Sequence, residues 1–186
     1  APVDGRYLDV DLVRENLEGR CEAYLPPATT RGAVRSLVQA EISRTPVTII
    51  RHSLEPVRRT VEQVLADRRF DVVHAEQQPA FAGSRPALLA GLPVVLRAQN
   101  VASTLWTFAA RSRSAFLRAF FRREAAKLGA WESRCVQEAS VTIALTRLDA
   151  AAIRELAGSE ARVETVEAPF AGHLEAGEPS LEGDPA

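Results

Sequence analysis

The sequence predicts an α/β fold with a doubly wound, mostly parallel, Rossmann-like sheet and helices on both of its faces. Short β-branched runs alternate with segments of helix length along the chain, which is the pattern of a parallel sheet. Two such runs, over residues 71–75 and 94–97, each stop in polar residues, and one helix-length segment separates them. The 186 residues, 46% of them hydrophobic, are sufficient for one domain with a complete core.

Before Phe70, the hydrophobic spacing predicts helices that alternate with short extended segments. In chain order these are a strand end and turn over 1–5, an apolar-periodic helix closed by Gly19, a strand over 21–25 and a helix over 33–42. Residues 47–50 are apolar and β-branched, but they are too few to distinguish a strand from a buried loop. Ser53 then offers a hydroxyl cap to a helix that has Glu55 and Pro56 in its first turn. The inward stripe of that helix is Val57, Val61, Val64 and Leu65.

From residue 71 onward the alternation is regular. The pattern predicts a strand over 71–75, a helix near 80–90, a strand over 94–97, a helical region over 103–138, a strand over 141–145, a helix to 157 and a last strand over 163–166. We expect a break in the long helical region near Arg113 and Ser114. Because residues 171–186 are acidic and rich in turn formers, we expect a Rossmann-like domain over 1–170 and an interdomain linker over 171–186.

Composition and charge exclude some classes of function. The net charge of −1 gives no overall field that would draw the chain to nucleic acid or to an anionic membrane. All but one of the 23 basic residues are arginines, which indicates the compositional bias of a genome rather than a chemical role. Cys21 and Cys135 fit neither a metal-ligand spacing nor a disulfide framework, so we expect buried, reduced thiols; a bridge between them is an alternative that nothing favours. No apolar run is long enough to span a membrane, and no signal peptide opens the sequence.

Polar side chains follow two neighbouring strands at the point where each strand ends. His74 and Glu76 alternate along the first strand and therefore share a face, and Arg97, Gln99 and Asn100 follow the second. Ligands of open parallel sheets bind outside the carboxyl ends of the strands, and amides suit sugar hydroxyls because each offers a donor and an acceptor. The alternative is structural: His74 would cap the sheet, Glu76 would be solvated, and Asn100 would form a turn.

A third polar position follows the strand over 141–145. Thr146 and Asp149 have the spacing of a capping box, so a helix cap is the more frequent role and contact with a ligand is the alternative. The isolated Gly83 and Gly91 do not make a glycine-rich phosphate loop. We expect neither a metal site nor a bound cofactor.

The helical segment over 105–127 combines aromatic with basic residues. Its cations are Arg111, Arg113, Arg118, Arg122, Arg123 and Lys127. A basic, aromatic, amphipathic helix can lie on an anionic membrane or dock a partner; alternatively, its aromatic residues pack on the sheet while the arginines face water. No nucleic-acid-binding motif accompanies these cations, so nucleic acid is not an expected partner. Trp131 and Glu132 are expected on the same helix, with the indole inward and the carboxylate at the sheet edge or in solvent.

An ordered set of motifs resembles one family. The segments FDVVHAEQ, GLPVVLRAQNVASTLW, KLGAWESRCVQEAS, VTIALTRLDAAAIREL and VETVEAPF are similar, in order and spacing, to the amino-terminal domain of family-four glycosyltransferases of the GT-B fold. The resemblance covers residues 71–170 and, more loosely, the part before them. The chain departs from the family in two respects. Ala102 stands where a glutamate usually follows Asn-Val, and the family's first strand with its glycine-rich loop would precede Ala1.

The resemblance implies the acceptor-binding half of a retaining glycosyltransferase of the hexosyltransferase type. A sugar would pass from a nucleotide-diphosphate donor, held by a carboxy-terminal domain, to an acceptor in the cleft between the two domains. The acceptor side of that cleft would be lined by His74, Glu76, Arg97, Gln99, Asn100 and Thr146. This segment alone is expected neither to transfer sugar nor to bind nucleotide tightly.

Two expectations stand beside this one. The alternative function is a non-catalytic small-molecule or partner-binding module on a flavodoxin-like scaffold, because one fold serves many functions. The expected location is the cytoplasm, and the basic segment adds peripheral contact at the inner face of the membrane as a variant of that expectation.

Overall fold

The described part of the chain forms eight helices and one four-stranded sheet. The computed structural model describes residues 22, 24, 33–51, 54–111 and 113–167. Its helices are α1 (Ala33–Ser43), α2 (Val47–Arg51), α3 (Glu55–Asp67), α4 (Gln77–Gly83), α5 (Arg85–Leu89), α6 (Ala102–Ala110), α7 (Ala115–Glu138) and α8 (Arg147–Ala157). Its strands are β1 (Val73–Glu76), β2 (Val94–Ala98), β3 (Val141–Ala144) and β4 (Val163–Thr165). The predicted Rossmann-like α/β fold with a parallel sheet is confirmed. A second layer of helices on the other face of the sheet stays a prediction, because the helices that connect the described strands lie on one face.

The strands are parallel and lie in sequence order, β1-β2-β3-β4. Parallel neighbours need a crossover connection, and such crossovers are right-handed. Because the sheet grows in one direction, its connecting helices fall on the same face. All carboxyl ends of the strands meet at one edge, which is where the predicted polar residues stand.

The face under the connecting helices holds the main core. Its strand residues are at most 4% exposed and pack against α4, α5, α7 and α8: Ala75, Val94, Leu96, Ala98, Ala144 and Val163. Successive side chains of a strand point to opposite faces, so the residues between them lie on the other side. That second face carries half-buried or exposed side chains: His74, Glu76, Val95, Arg97, Ile143 and Glu164.

Most predicted elements are confirmed, and two are refined. The undecided run over 47–50 is a helix, α2. The single helix predicted near 80–90 is two short helices that meet at Ser84, because Pro86 lies in the first turn of α5, where a proline is tolerated. The break predicted near Arg113 separates α6 from α7. The elements predicted over 1–25, apart from Glu22 and Tyr24, and the Ser53 cap lie outside the described residues.

Cys135 has the environment predicted for it. The side chain is buried in the core beneath α7, and the thiol is free. Burial raises the pKa of Cys135 to about 12. The thiol is therefore protonated and inert at neutral pH. Cys21 lies outside the described residues.

Candidate functional site

Four predicted cleft residues meet at the carboxyl ends of β1 and β2. The Glu76 carboxylate accepts hydrogen bonds from Arg97 Nη1 at 3.2 and 3.3 Å and from Gln99 Nε2 at 2.6 Å. His74 Nε2 lies 3.7 Å from Glu76 Oε2. These residues, His74, Glu76, Arg97 and Gln99, are named the edge cluster below. Their proximity removes the reading in which Glu76 is simply solvated.

The strand register explains why these side chains meet. Glu76 lies opposite Arg97 in the parallel pair and shares its face with His74, two residues earlier. Gln99 follows the last residue of β2 and reaches across to the same carboxylate. The pairing of β1 with β2 therefore builds the edge cluster without a contribution from any helix.

The edge cluster is organised around an ionised carboxylate. The hydrogen bond from Gln99, followed by the contact with the Arg97 guanidinium, holds the pKa of Glu76 below its ordinary value of 4.5, although partial burial acts in the opposite direction. His74 and Gln99 are exposed, so the cluster is open to a ligand from solvent. The carboxylate, the guanidinium and the amide together present acceptors and donors in the combination that hydroxyl groups require.

The other two predicted cleft residues lie at the same edge, but within the described residues their side chains make no hydrogen bond to the edge cluster. Asn100 is half-buried in the bend between β2 and α6, and within the described residues its side chain makes no hydrogen bond. Thr146 Oγ1 accepts from the backbone N–H of Asp149 at 3.0 Å and donates to Asp149 Oδ2 at 2.6 Å. The predicted cap of α8 is confirmed, and a contact of Thr146 with a ligand stays a prediction.

A buried glutamate joins the two segments that follow β1 and β2, next to the edge cluster. Glu132 of α7 is 2% exposed, and its carboxylate accepts from Gln78 Nε2 at 3.2 Å, Ala102 N at 2.7 Å and Ser103 N at 3.1 Å. Gln78 follows β1, and the other two donors begin α6, whose first N–H groups have no partner within their own helix. The solvent-exposed alternative for Glu132 was wrong, because its carboxylate supplies the cap that α6 lacks locally.

A second buried glutamate lies eight residues earlier on α7 and caps α2. Glu124 Oε2 accepts from Val47 N at 2.8 Å, and its Oε1 accepts from Lys127 Nζ at 2.6 Å. Lys127 also donates to Glu41 Oε1 at 2.8 Å and to the backbone carbonyl of Ala40 at 3.2 Å. Burial opposes the charge of Lys127, but its bonds to Glu124 and Glu41 raise its pKa above the ordinary 10.5.

The hydrogen bonds of Lys127 show that one residue of the predicted membrane or partner surface is largely buried. Lys127 was expected on a membrane or partner surface, but its side chain is only 10% exposed. It is an interior cation that compensates the buried Glu124 carboxylate, since an unpaired charge there would be costly. The other predicted cations are all exposed: Arg111, Arg113, Arg118, Arg122 and Arg123.

The sequence contains a signal for both buried glutamates, although it was not recognised. Glu124, Leu128 and Glu132 are spaced by four residues, so they lie on one face of α7. That face is the buried one, because Leu128, Cys135 and their neighbours pack into the core. A charged residue on an apolar helical stripe indicates a buried polar partner.

The described residues contain neither a metal-binding cluster nor a membrane-spanning helix. The part of the chain that the structure describes contains no group of three or more His, Cys, Asp or Glu side chains that could hold a metal ion. Within the same ranges, no helix combines the length and apolar character needed to cross a membrane.

Comparison with known proteins gives one match. A family model described as a glycosyl transferase 4-like domain matches residues 5–169, which include the whole edge cluster and both buried glutamates. No curated protein and no solved structure matches the chain significantly.

Proposed function

Because the chain belongs to the glycosyl transferase 4-like family, we propose that it is the acceptor-binding half of a retaining glycosyltransferase. In this proposal a sugar passes from a nucleotide-diphosphate donor to a hydroxyl group of an acceptor bound at the edge cluster. The observation that supports it is the ionised Glu76, held by Arg97 and Gln99 at the carboxyl edge of a parallel sheet.

The edge cluster would hold the acceptor through its hydroxyl groups. Glu76 accepts a hydrogen bond from the hydroxyl that attacks the donor, and a bond to a carboxylate is both shorter and stronger than a neutral one. Arg97 and Gln99 keep Glu76 in place and donate to further oxygen atoms of the acceptor. Asn100 and Thr146 extend the same wall, because they follow β2 and β3 at the same edge of the sheet.

The donor would be bound by a carboxy-terminal domain across the cleft. Stabilisation of the departing nucleoside diphosphate, usually a large electrostatic contribution to such a reaction, then comes mainly from that domain. We place the reaction in the cytoplasm, in agreement with the reduced state of Cys135. This division of labour predicts that residues 1–186 alone neither transfer sugar nor bind a nucleotide tightly, and measurable transfer by them would contradict it.

The test compares two carboxylates on the same face of the sheet. In a protein that contains both domains, Glu76→Gln removes the charged acceptor of the edge cluster, whereas Glu164→Gln changes an exposed carboxylate of β4. We expect the first change to lower kcat/KM for the acceptor by about 10- to 100-fold, the loss of one charge-assisted hydrogen bond, and to leave the donor KM unchanged. The measurement is acceptor-dependent release of nucleoside diphosphate.

Two results would count against the proposal. An equal effect of both substitutions would show that Glu76 has no special role with the acceptor. Failure of the two-domain protein to release nucleoside diphosphate from any nucleotide sugar would favour the alternative, a non-catalytic small-molecule or partner-binding module.

A further inference from the structure

Exposed apolar side chains concentrate on three helices of the described chain. Of the fourteen large hydrophobic residues that are exposed there, eight belong to α1, α6 and the start of α7. The most exposed of these are Phe116 at 84%, Ile42 at 80% and Val34 at 76%. A groove of about 750 Å³ lies between α1 and α7. Its apolar lining includes Leu37, Val38, Ile42, Phe116, Leu117 and Phe120. A large, continuous, exposed apolar surface of this kind indicates a site that binds a protein, a membrane or an apolar ligand.

The same surface is strongly basic. Residues 105–123 contain five arginines and no acidic residue, and α1 adds Arg35. The one carboxylate of α1, Glu41, is already paired with Arg123 and Lys127. The guanidinium groups of two of the arginines lie over aromatic rings of their own segment, Arg111 over the exposed Phe108 and Arg113 over the half-buried Phe121. Although the net charge of the chain is −1, positive charge is concentrated around the exposed apolar residues of α1, α6 and α7.

From this coincidence we propose that α1 together with residues 105–123, named the docking face, binds the surface of an anionic lipid bilayer. Apolar tips enter the boundary between head groups and acyl chains while the arginines meet lipid phosphates. The proposed contact is peripheral, since it involves only the exposed tips of side chains on the docking face. The proposal concerns binding alone and is independent of sugar transfer.

Other occupants fit the docking face less well. A second copy of the chain would bring one set of arginines against another, and like charges across an interface cost several kcal/mol. Nucleic acid offers phosphates, and its unpaired bases can stack on a phenylalanine, but it offers no apolar partner for the aliphatic Leu37, Val38 and Ile42. An anionic bilayer satisfies both the charge and the apolar surface.

The test is co-sedimentation of the purified protein with phosphatidylcholine vesicles, with and without added phosphatidylglycerol. Arg118→Gln with Arg122→Gln removes two charges of the docking face, and Arg69→Gln with Arg162→Gln removes two exposed charges elsewhere. A near-surface arginine strengthens binding about fivefold, so the first pair is expected to weaken binding to anionic vesicles by about 25-fold and the control pair by less than about twofold. Added salt is expected to reduce binding of the wild type.

A second pair of variants tests the apolar contact. Phe116→Ser and Leu148→Ser replace side chains of equal exposure, 84%, but only Phe116 belongs to the docking face. We expect Phe116→Ser to release the protein from anionic vesicles and Leu148→Ser to leave binding unchanged, with equal thermal unfolding midpoints. Absence of wild-type binding, equal binding to neutral vesicles, or equal loss in target and control variants would overturn the proposal. So would concentration-dependent dimerisation that Phe116→Ser abolishes, or capture of a nucleic acid without lipid binding.

Discussion

Gln77 separates two polar neighbours that a straight strand would place together. In a continuing pleat, Glu76 and Gln78 would point to the same face, because they are two residues apart. Gln77 instead has a φ of 69°, in the left-handed region, and α4 begins there. The Glu76 side chain consequently points toward Arg97 and Gln99, whereas the Gln78 side chain points into the interior and donates to Glu132. Strained backbone of this kind is concentrated at functional sites.

Relieving this strain is expected to stabilise the protein. Gln77→Gly replaces a residue for which the left-handed conformation costs about 1 kcal/mol or more by one that adopts it freely, so the free energy of unfolding should rise by about 0.5 kcal/mol. Gln63→Gly, at an exposed position inside α3, should lower it by about 1 kcal/mol. Urea unfolding measures both, and a loss of similar size at the two positions would show that the turn at Gln77 is unstrained.

At the scale of elements, α7 supplies what two other helices lack. The starts of α2 and α6 have no side-chain cap of their own from the preceding residues, and the carboxylates of Glu124 and Glu132 take that place. Negative charge at a helix start also opposes the positive end of the helix dipole. One long helix therefore fixes two others by polar contacts as well as by packing.

Removal of Glu132 is expected to be much more costly than removal of an exposed glutamate of the same helix. Glu132→Ala leaves one buried and two partly buried donors without an acceptor and should lower the free energy of unfolding by about 3 kcal/mol. Glu138→Ala makes the same glutamate-to-alanine change on the same helix but breaks only the exposed pair with Arg85. It should lower the free energy of unfolding by less than about 1 kcal/mol. Urea unfolding gives the two energies.

Hydrogen exchange distinguishes a local role of Glu132 from a general one. Relative to the wild type, Glu132→Ala should accelerate exchange of the Ala102 and Ser103 amides more than that of the α8 amides, to which Glu132 makes no hydrogen bond. Uniform acceleration across the molecule would contradict the capping role.

At the scale of the whole molecule, charge pairs make stability depend on pH. The hydrogen bond from Gln99 lowers the pKa of Glu76, and that from Lys127 lowers the pKa of Glu41. A lowered folded-state pKa means that the unfolded chain binds more protons in acid. The stabilisation is then complete above the ordinary carboxyl pKa of 4.5 and is lost as pH falls through the lowered value.

This linkage gives a prediction for acid unfolding. Between neutral pH and about pH 3, the free energy of unfolding should fall less steeply in Glu76→Gln than in the wild type, because one linked proton is removed. Glu164→Gln serves as the control on the same face of the sheet. The free energy of unfolding is measured by urea unfolding at each pH. Identical pH dependence in Glu76→Gln and the wild type would show that protonation of the edge cluster does not affect stability.

The pattern of the sequence predicts the sheet well because each of the strands β1 to β4 begins with a valine and segments of helix length separate the strands. It also places His74, Glu76, Arg97 and Gln99 together, since parallel neighbours end at one edge. It fails where a distant residue decides the local structure. Residues 47–50 become helical with a cap from Glu124, and Lys127 turns inward because that carboxylate is buried. The contact between Val47 and Glu124 joins residues 77 apart in sequence, so it cannot be inferred from nearby residues. The pair of Glu124 and Lys127 is local, but its burial depends on the packing of α1 and α2 against α7.

The length of α7 has a consequence for any acceptor. Phe116 belongs to the docking face, and Glu132 fixes the segments that follow β1 and β2 beside the edge cluster. The two residues are sixteen positions apart, or about 24 Å along the axis of α7. With its two anchored carboxylates, α7 then acts as a spacer of constant length. A lipid-borne acceptor would have to extend its reactive hydroxyl across that gap, whereas a freely diffusing one would face no such requirement.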